Sequence, residues 1–149
     1  MNDLYNVSEV KLTYESKNTN KNKLKVDSSA KIYALMMCDW EQIEYRETFK
    51  VLYLDVTQQV LGINTVSTGG LSNVAVDVRM ILQGALLANA VGLVCCHNHP
   101  SGNMKPSADD DMMTLKIMKA ARIMDIELID HLIITKYGYY SYADEGRLE

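Results

Sequence analysis

From Val91 to Cys96 no position is polar. A run that short, with no hydrophilic face to leave in water, predicts a β-strand buried on both sides. It gives out into His97-Asn98-His99, and Pro100, which has no N–H to offer a ladder, ends it. Upstream, Val10, Leu12 and Tyr14 alternate with polar neighbours between Val7 and Tyr14, the pattern of a half-buried edge strand. Glu15 to Lys25 has no periodicity and is rich in Lys and Asn (Lys17, Lys21, Lys23; Asn18, Asn20, Asn22), which reads as a mobile loop. Asp27-Ser28-Ser29 is a helix N-cap cluster, and Ile32, Leu35, Met36, Trp40 and Ile43 follow at helical spacing, so a helix is expected to end near Ile43.

From Arg46 the period changes to that of a strand, through Phe49, Val51 and Tyr53 with Leu52 and Leu54 between them, as far as Asp55. A second strand from Val60 to Val66 makes a hairpin with it, turning at Thr57-Gln58. Gly69-Gly70 and Asn73 mark a loop. Beyond it Val78, Ile81, Ala85 and Ala88 lay an apolar stripe on a helix that feeds the Val91 strand. A loop with Ser101, Gly102 and Pro106 then reaches Ser107, where a helix carrying Met113, Ile117, Met118, Ala121 and Met124 is expected to begin. Ile126 to Thr135 and Tyr139 to Tyr142 read as closing strands. The sum is a mixed β-sheet flanked by helices, α/β (α+β) in class.

With 149 residues, 48% of them hydrophobic, the chain can bury one real core but not two. A net charge of -4 argues against a surface built to hold phosphate backbone, so nucleic acid is not an expected partner of this chain alone. The Lys/Asn-rich stretch could serve as a nucleic-acid finger, but no aromatic is interleaved to stack on a base, and a solvated loop is the reading retained. Cys38, Cys95 and Cys96 are an odd set with two adjacent, which predicts reduced, buried thiols and a cytoplasmic compartment. No apolar run approaches the length of about 18 that a membrane span requires, and Met1 to Val10 lacks a signal-peptide pattern.

The candidate chemistry gathers where the buried strand ends. Alternation along a strand puts His97 and His99 on one face, and Asp110, in the first turn of the helix opened by Ser107, can face back toward them. Catalytic zinc commonly takes three such ligands and lowers the pKa of water to about 7. The base that takes the proton should be a carboxylate beside the metal, and Glu47, at the start of a strand apolar on both faces, is the candidate. Each residue has a plainer reading. The histidines could be satisfied structural groups, Glu47 a solvated carboxylate, and Ser107 a helix N-cap forming a Ser-x-x-Asp capping box with Asp110. Asp109 and Asp111 read as surface acids that complement the helix dipole. Cys95 shares the His97 face, where a thiolate ligand competes with a small core residue, and His131 reads as a core histidine or one behind the ligands.

The string His97-Asn98-His99-Pro100-Ser101-Gly102, then Pro106-Ser107 and Asp110, with Glu47 upstream on a strand, resembles the RadC family, a bacterial branch of the JAMM (JAB/MPN) metalloprotease-like fold. The JAMM pattern of an upstream Glu, His-x-His-Pro, six residues, Ser, two residues and Asp falls on Glu47, His97, His99, Pro100, Ser107 and Asp110 without a gap. Similarity continues through Arg46-Glu47-Thr48-Phe49, Ala85 to Ala90 and Asp130-His131-Leu132-Ile133. The resemblance implies one JAMM/MPN-like, cytidine deaminase-like domain over 28–147, preceded in 1–27 by the N-terminal strand and mobile loop. It implies zinc held by His97, His99 and Asp110, Glu47 activating water, and Ser107 donating to the oxyanion of a tetrahedral intermediate. The activity implied is hydrolysis of an amide or isopeptide bond in a peptide or protein substrate. Two features depart from the family. Typical members carry an N-terminal helix-hairpin-helix DNA-binding domain, whereas this chain has no glycine before Gly62 for those turns, and Val78-Arg79-Met80 stands where Pro-Arg-Glu is usual.

Three functional classes follow: a zinc-dependent JAMM-type hydrolase, a non-catalytic module that binds a protein partner, and a DNA-repair-associated factor suggested by the family name. The contiguous letters His97-Asn98-His99 do not make a nuclease motif, whose three residues are spread over a hairpin-helix unit. The sequence specifies neither the substrate nor an oligomeric state.

Overall fold

Seven buried positions in a row along Thr48–Leu54, and seven more along Gly92–Asn98, follow from strands that are apolar except at Thr48, Lys50, His97 and Asn98. These are β1 and β3 in the chain order α1 (Ser29–Asp39), β1, β2 (Val60–Thr68), α2 (Val78–Leu87), β3, α3 (Ala108–Ile123), β4 (Glu127–Thr135) and β5 (Gly138–Ser141). The computed structural model describes residues 8–11, 13–16, 24–69 and 75–149. One sheet runs β2-β1-β3-β4-β5. Its only parallel neighbours are β3 and β4, so the chain must cross over between them, and α3 is that crossover. The crossover brings the exit of β3 and the start of α3 to the same end of the sheet.

Helices cover both faces. Ile32, Met36 and Trp40 of α1 and its C-cap pack on Leu52, Leu54, Val94, Cys96, Leu132 and Ile134. On the other face Ile81 and Ala85 of α2 and Ile117 and Ala121 of α3 meet Val51, Tyr53, Leu93 and Cys95. The β3–β4 register slips between Leu93, opposite Leu128, and Val94, opposite Asp130. This bulge re-phases β4, so that Leu128 and His131 both lie on the α2/α3 face, with His131 beside Cys95. The hairpin turns where expected, with the Asp55 carboxylate accepting from Thr57 N at 2.9 Å and Gln59 N at 3.0 Å and Gln58 at φ 63°.

Three expectations are corrected. The helix α1 stops at Asp39, because Trp40 turns extended and Gln42 takes φ 56°, and Ile43 reaches the same core from the turn that follows. The described residues of the expected edge strand, 8–11 and 13–14, form no strand; Val10 is 81% exposed, since alternation without a partner strand has nothing to bury against. Cys38 is exposed, whereas Cys95 and Cys96 are buried as expected. Val7 and Leu12, the Lys/Asn-rich positions Lys17, Asn18, Asn20, Lys21, Asn22 and Lys23, and Gly70 and Asn73 of the loop lie outside the described residues. No helix among the described residues is long and apolar enough to cross a membrane.

Close approach of α2 to β1 depends on Gly84, where a Cβ would run into the ring of buried Tyr53, whose hydroxyl donates to Ile81 O at 3.0 Å. Alanine there would gain about 1 kcal/mol of helix propensity. The overpacking outweighs that gain: Gly84→Ala is expected to lower unfolding stability by about 1–3 kcal/mol in urea titration. Unchanged or raised stability would contradict this packing.

Candidate metal centre

Ser107 caps α3 and fixes the acid that follows it. Its backbone N and its Oγ both donate to Asp110 Oδ2 at 2.7 Å, while Asp110 N donates back to Oγ at 3.1 Å, completing a capping box. With Oδ2 so engaged, Oδ1 is turned to the end of β3, where it lies 3.1 Å from His97 Nε2. His99 Nε2 stands 3.1 Å from His97 Nε2 and 3.5 Å from Asp110 Oδ2. The two imidazole nitrogens and the Asp110 carboxylate therefore crowd one point from two elements, the exit of β3 and the first turn of α3.

The donor set fits a small divalent cation. Ligands at about 2.0–2.1 Å around a tetrahedral ion lie roughly 3.3 Å apart, close to the spacings found here. The outer nitrogen of His99 is also settled: Nδ1 is 2.6 Å from Asn103 O, a carbonyl that can only accept, so Nδ1 carries the hydrogen and a neutral His99 offers a bare Nε2 inward. Burial alone would raise the Asp110 pKa, but the imidazoles of His97 and His99 hold the carboxyl far below its usual range. Burial works against protonation of His99, yet the Asp110 hydrogen bond, with the Asn103 carbonyl and the Glu47 charge, lifts its pKa above the ordinary histidine value.

Glu47 reaches the same place from β1. Phe49 pairs with His97 across β1 and β3, so Glu47, two residues before one, lies toward His99, two residues after the other. It lines a cavity of about 600 Å³ together with His97, His99, Ser107 and Asp110. Burial pushes its carboxyl up; His97 and His99 pull it back, and Asp110 adds to the rise. The backbone before it is held by Asn98, which points to the opposite side of β3 from the histidines. Asn98 Oδ1 accepts from Thr48 N at 2.8 Å, and its Nδ2 donates to Ile43 O at 2.7 Å and Arg46 O at 3.0 Å. A fully buried amide thus replaces the ladder where β1 begins.

Other candidates fall outside the triad. Cys95 is buried among apolar groups, and burial drives its thiol far up, so it serves as a core residue. His131, 1% exposed, sits behind His97 with Nε2 2.9 Å from His97 Nδ1, and burial pushes its pKa well down. Asp109 borders the cavity, whereas Asp111 is tied to Arg147 and accepts from the Tyr142 hydroxyl at 2.8 Å. The parts that sequence reasoning missed are Asn98 and Thr114, whose hydroxyl lies 2.6 Å from His131 Nδ1. Asn98 was in view inside the motif, but only the pairing of β1 with β3 tells what it caps.

A family model for the RadC-like JAB domain matches residues 26–147. The chain is 40% identical over 122 residues to a UPF0758 protein of Flavobacterium johnsoniae, an alignment covering 82% of this chain and 53% of the relative. It is 37% identical over 124 residues to a UPF0758 protein of Thermotoga maritima, covering 83% and 55%. A third, from Pasteurella multocida, is 43% identical over 103 residues, covering 69% and 46%. The chain thus spans about half the length of the curated relatives it matches.

Protons and metal compete for the same Nε2 atoms, and His99 holds its proton above the ordinary histidine pKa in the metal-free protein. Divalent-metal affinity is therefore expected to rise steeply as pH rises from about 5.5 to about 8, with proton release on binding, measured by calorimetry in buffers of different ionisation enthalpy. Affinity that is flat across that range would contradict an imidazole-based site.

Proposed function

The chain belongs to the RadC-like JAB domain family, and from that premise we propose that it is a zinc-dependent hydrolase of the JAMM type, a metallopeptidase acting on an amide or isopeptide bond of a peptide or protein. The observation that carries this reading is the convergence of His97 Nε2, His99 Nε2 and the Asp110 carboxylate, all within 4.8 Å of one another, on the wall of a cavity that Glu47 also lines. Histidine and carboxylate donors in this number suit zinc with a coordination place left open. When bound, zinc supplies Lewis acidity, polarising a carbonyl and lowering the pKa of water to about 7.

The protein's own groups do the rest. His97 and His99 would each offer a ring Nε2 to the metal; their imidazoles hold the Asp110 carboxyl ionised, and the capping box orients it. Glu47 is the proton carrier: its half-buried carboxyl, raised by burial, takes a proton from attacking water and returns it to the leaving amine. Phe49, Val76 and Met113 form the apolar part of the wall, which limits competing water and suits an extended peptide better than a free ion. Ser107 opens on the same cavity, and its hydroxyl donates to an oxyanion by leaving Asp110 Oδ2.

The test separates metal from chemistry. Protein purified without chelator is expected to hold stoichiometric zinc by elemental analysis, lost in His97→Ala. Glu47→Gln should keep the zinc but lower turnover of a peptide or isopeptide library by about 10²–10⁴-fold. Metal-free wild-type protein would defeat the reading; bound zinc with no turnover of any library member, and a stable protein partner co-purifying, would favour a binding module.

A further inference from the structure

We propose that His131 and Thr114 are positioning residues that lock His97 in the one neutral tautomer able to ligate a metal, through a hydrogen-bond chain anchored on the Asp110 backbone carbonyl; this rests on the metal reading above. Nothing in the motif spacing assigns either residue.

The direction of the chain follows from its fixed end. Thr114 Oγ1 lies 2.7 Å from Asp110 O, and a carbonyl has no hydrogen to give, so the hydroxyl hydrogen occupies that contact. The same oxygen is 2.6 Å from His131 Nδ1. Its only hydrogen being spent, Oγ1 accepts there, and Nδ1 of His131 is the protonated nitrogen. A neutral His131 then has a bare Nε2, which faces His97 Nδ1 at 2.9 Å. His97 must donate across that contact from Nδ1, so Nε2, the atom 3.1 Å from Asp110 Oδ1, is the nitrogen left for a metal to take in place of a proton. Run in the opposite direction, the chain would put a hydrogen on His97 Nε2, inside the metal position, and would leave two oxygens in close contact at Asp110 with no hydrogen between them. His99 achieves the same result in one step, by donating from Nδ1 to Asn103 O.

The surroundings hold the relay rigid. The β4 bulge turns His131 onto the face that carries His97. Its ring is stacked on Tyr142, with centroids 5.2 Å apart and planes at 11°, and lies against Phe49 at 5.5 Å. Phe49 in turn lies parallel to His97. Thr114 follows Asp110 by four residues on α3, so its hydroxyl bonds back one helical turn to the residue whose side chain is itself a ligand. One turn of helix thus sets both the carboxylate and, through His131, the imidazole opposite it. Loss of such an outer partner typically weakens metal binding by about 10–100-fold.

Thr114→Val keeps the shape and deletes the hydroxyl, while Thr114→Ser restores it. In chelator competition with zinc, Thr114→Val is expected to bind about 10–100-fold more weakly than wild type and Thr114→Ser within about threefold of it. Imidazole ¹⁵N shifts of the metal-free proteins give an independent readout: His131 protonated at Nδ1 in wild type and Thr114→Ser, and redistributed in Thr114→Val. Wild-type affinity in Thr114→Val, equal weakening in both variants, or His131 protonated at Nε2 in wild type would overturn the proposal. Failure of the metal reading looks different: His97→Ala would then bind zinc as well as wild type does, and the tautomer measurement would still decide the relay.

Discussion

The Asp110 carboxylate is held from two sides, and the site depends on that double grip. From its own helix, Ser107 N and Oγ fix Oδ2; from the end of β3, His97 approaches Oδ1 and His99 approaches Oδ2. Either set alone would leave a carboxylate free to rotate into solvent. Together they give an acid that stays ionised despite partial burial, because the helix N-terminus, the serine and the imidazoles all favour its charge. The capping box that starts α3 is therefore also what orients Asp110 toward the histidines.

Everything else at this end of the sheet supports that arrangement at longer range. A parallel β3–β4 pair demands a crossover, and the crossover delivers α3 to the strand ends. β1 runs antiparallel beside β3, which puts the residue before its first turn of ladder, Glu47, on the histidine side. Asn98 closes the gap between those strands with three hydrogen bonds from a fully buried amide. Removing it would strand the buried Thr48 N–H at a cost of about 1–3 kcal/mol. The centre is thus placed by a sheet whose strands on both sides of the histidines are almost wholly buried, and rigid packing there is what keeps a polar cluster in a fixed geometry.

Much of this was legible in the chain itself. β3 announces itself by an unbroken apolar run, β1 and β4 by apolar runs broken only at Lys50 and at Asp130-His131, and α1 and α3 by Ser28 and Ser107 at their N-caps. The spacing of His97, His99 and Asp110 foretold a cluster because strand alternation and a first-turn acid leave little freedom. What could not be read depended on neighbours. Ile43 keeps helical phase with Trp40, yet a residue at positive φ intervenes. Val10 and Tyr14 alternate like strand residues, but alternation buries nothing without a partner. The face of His131 depends on a one-residue bulge against β3, which no local pattern encodes, so its link to His97 emerges only in three dimensions.

The most direct measurement is anomalous diffraction from crystals of the zinc-loaded protein, recorded on both sides of the zinc absorption edge. A single strong peak is expected within bonding distance of His97 Nε2, His99 Nε2 and the Asp110 carboxylate, with the Glu47 carboxylate facing it but not bonded to it. A peak ligated by Glu47 or Cys95, or no peak among these residues at saturating zinc, would contradict this assignment.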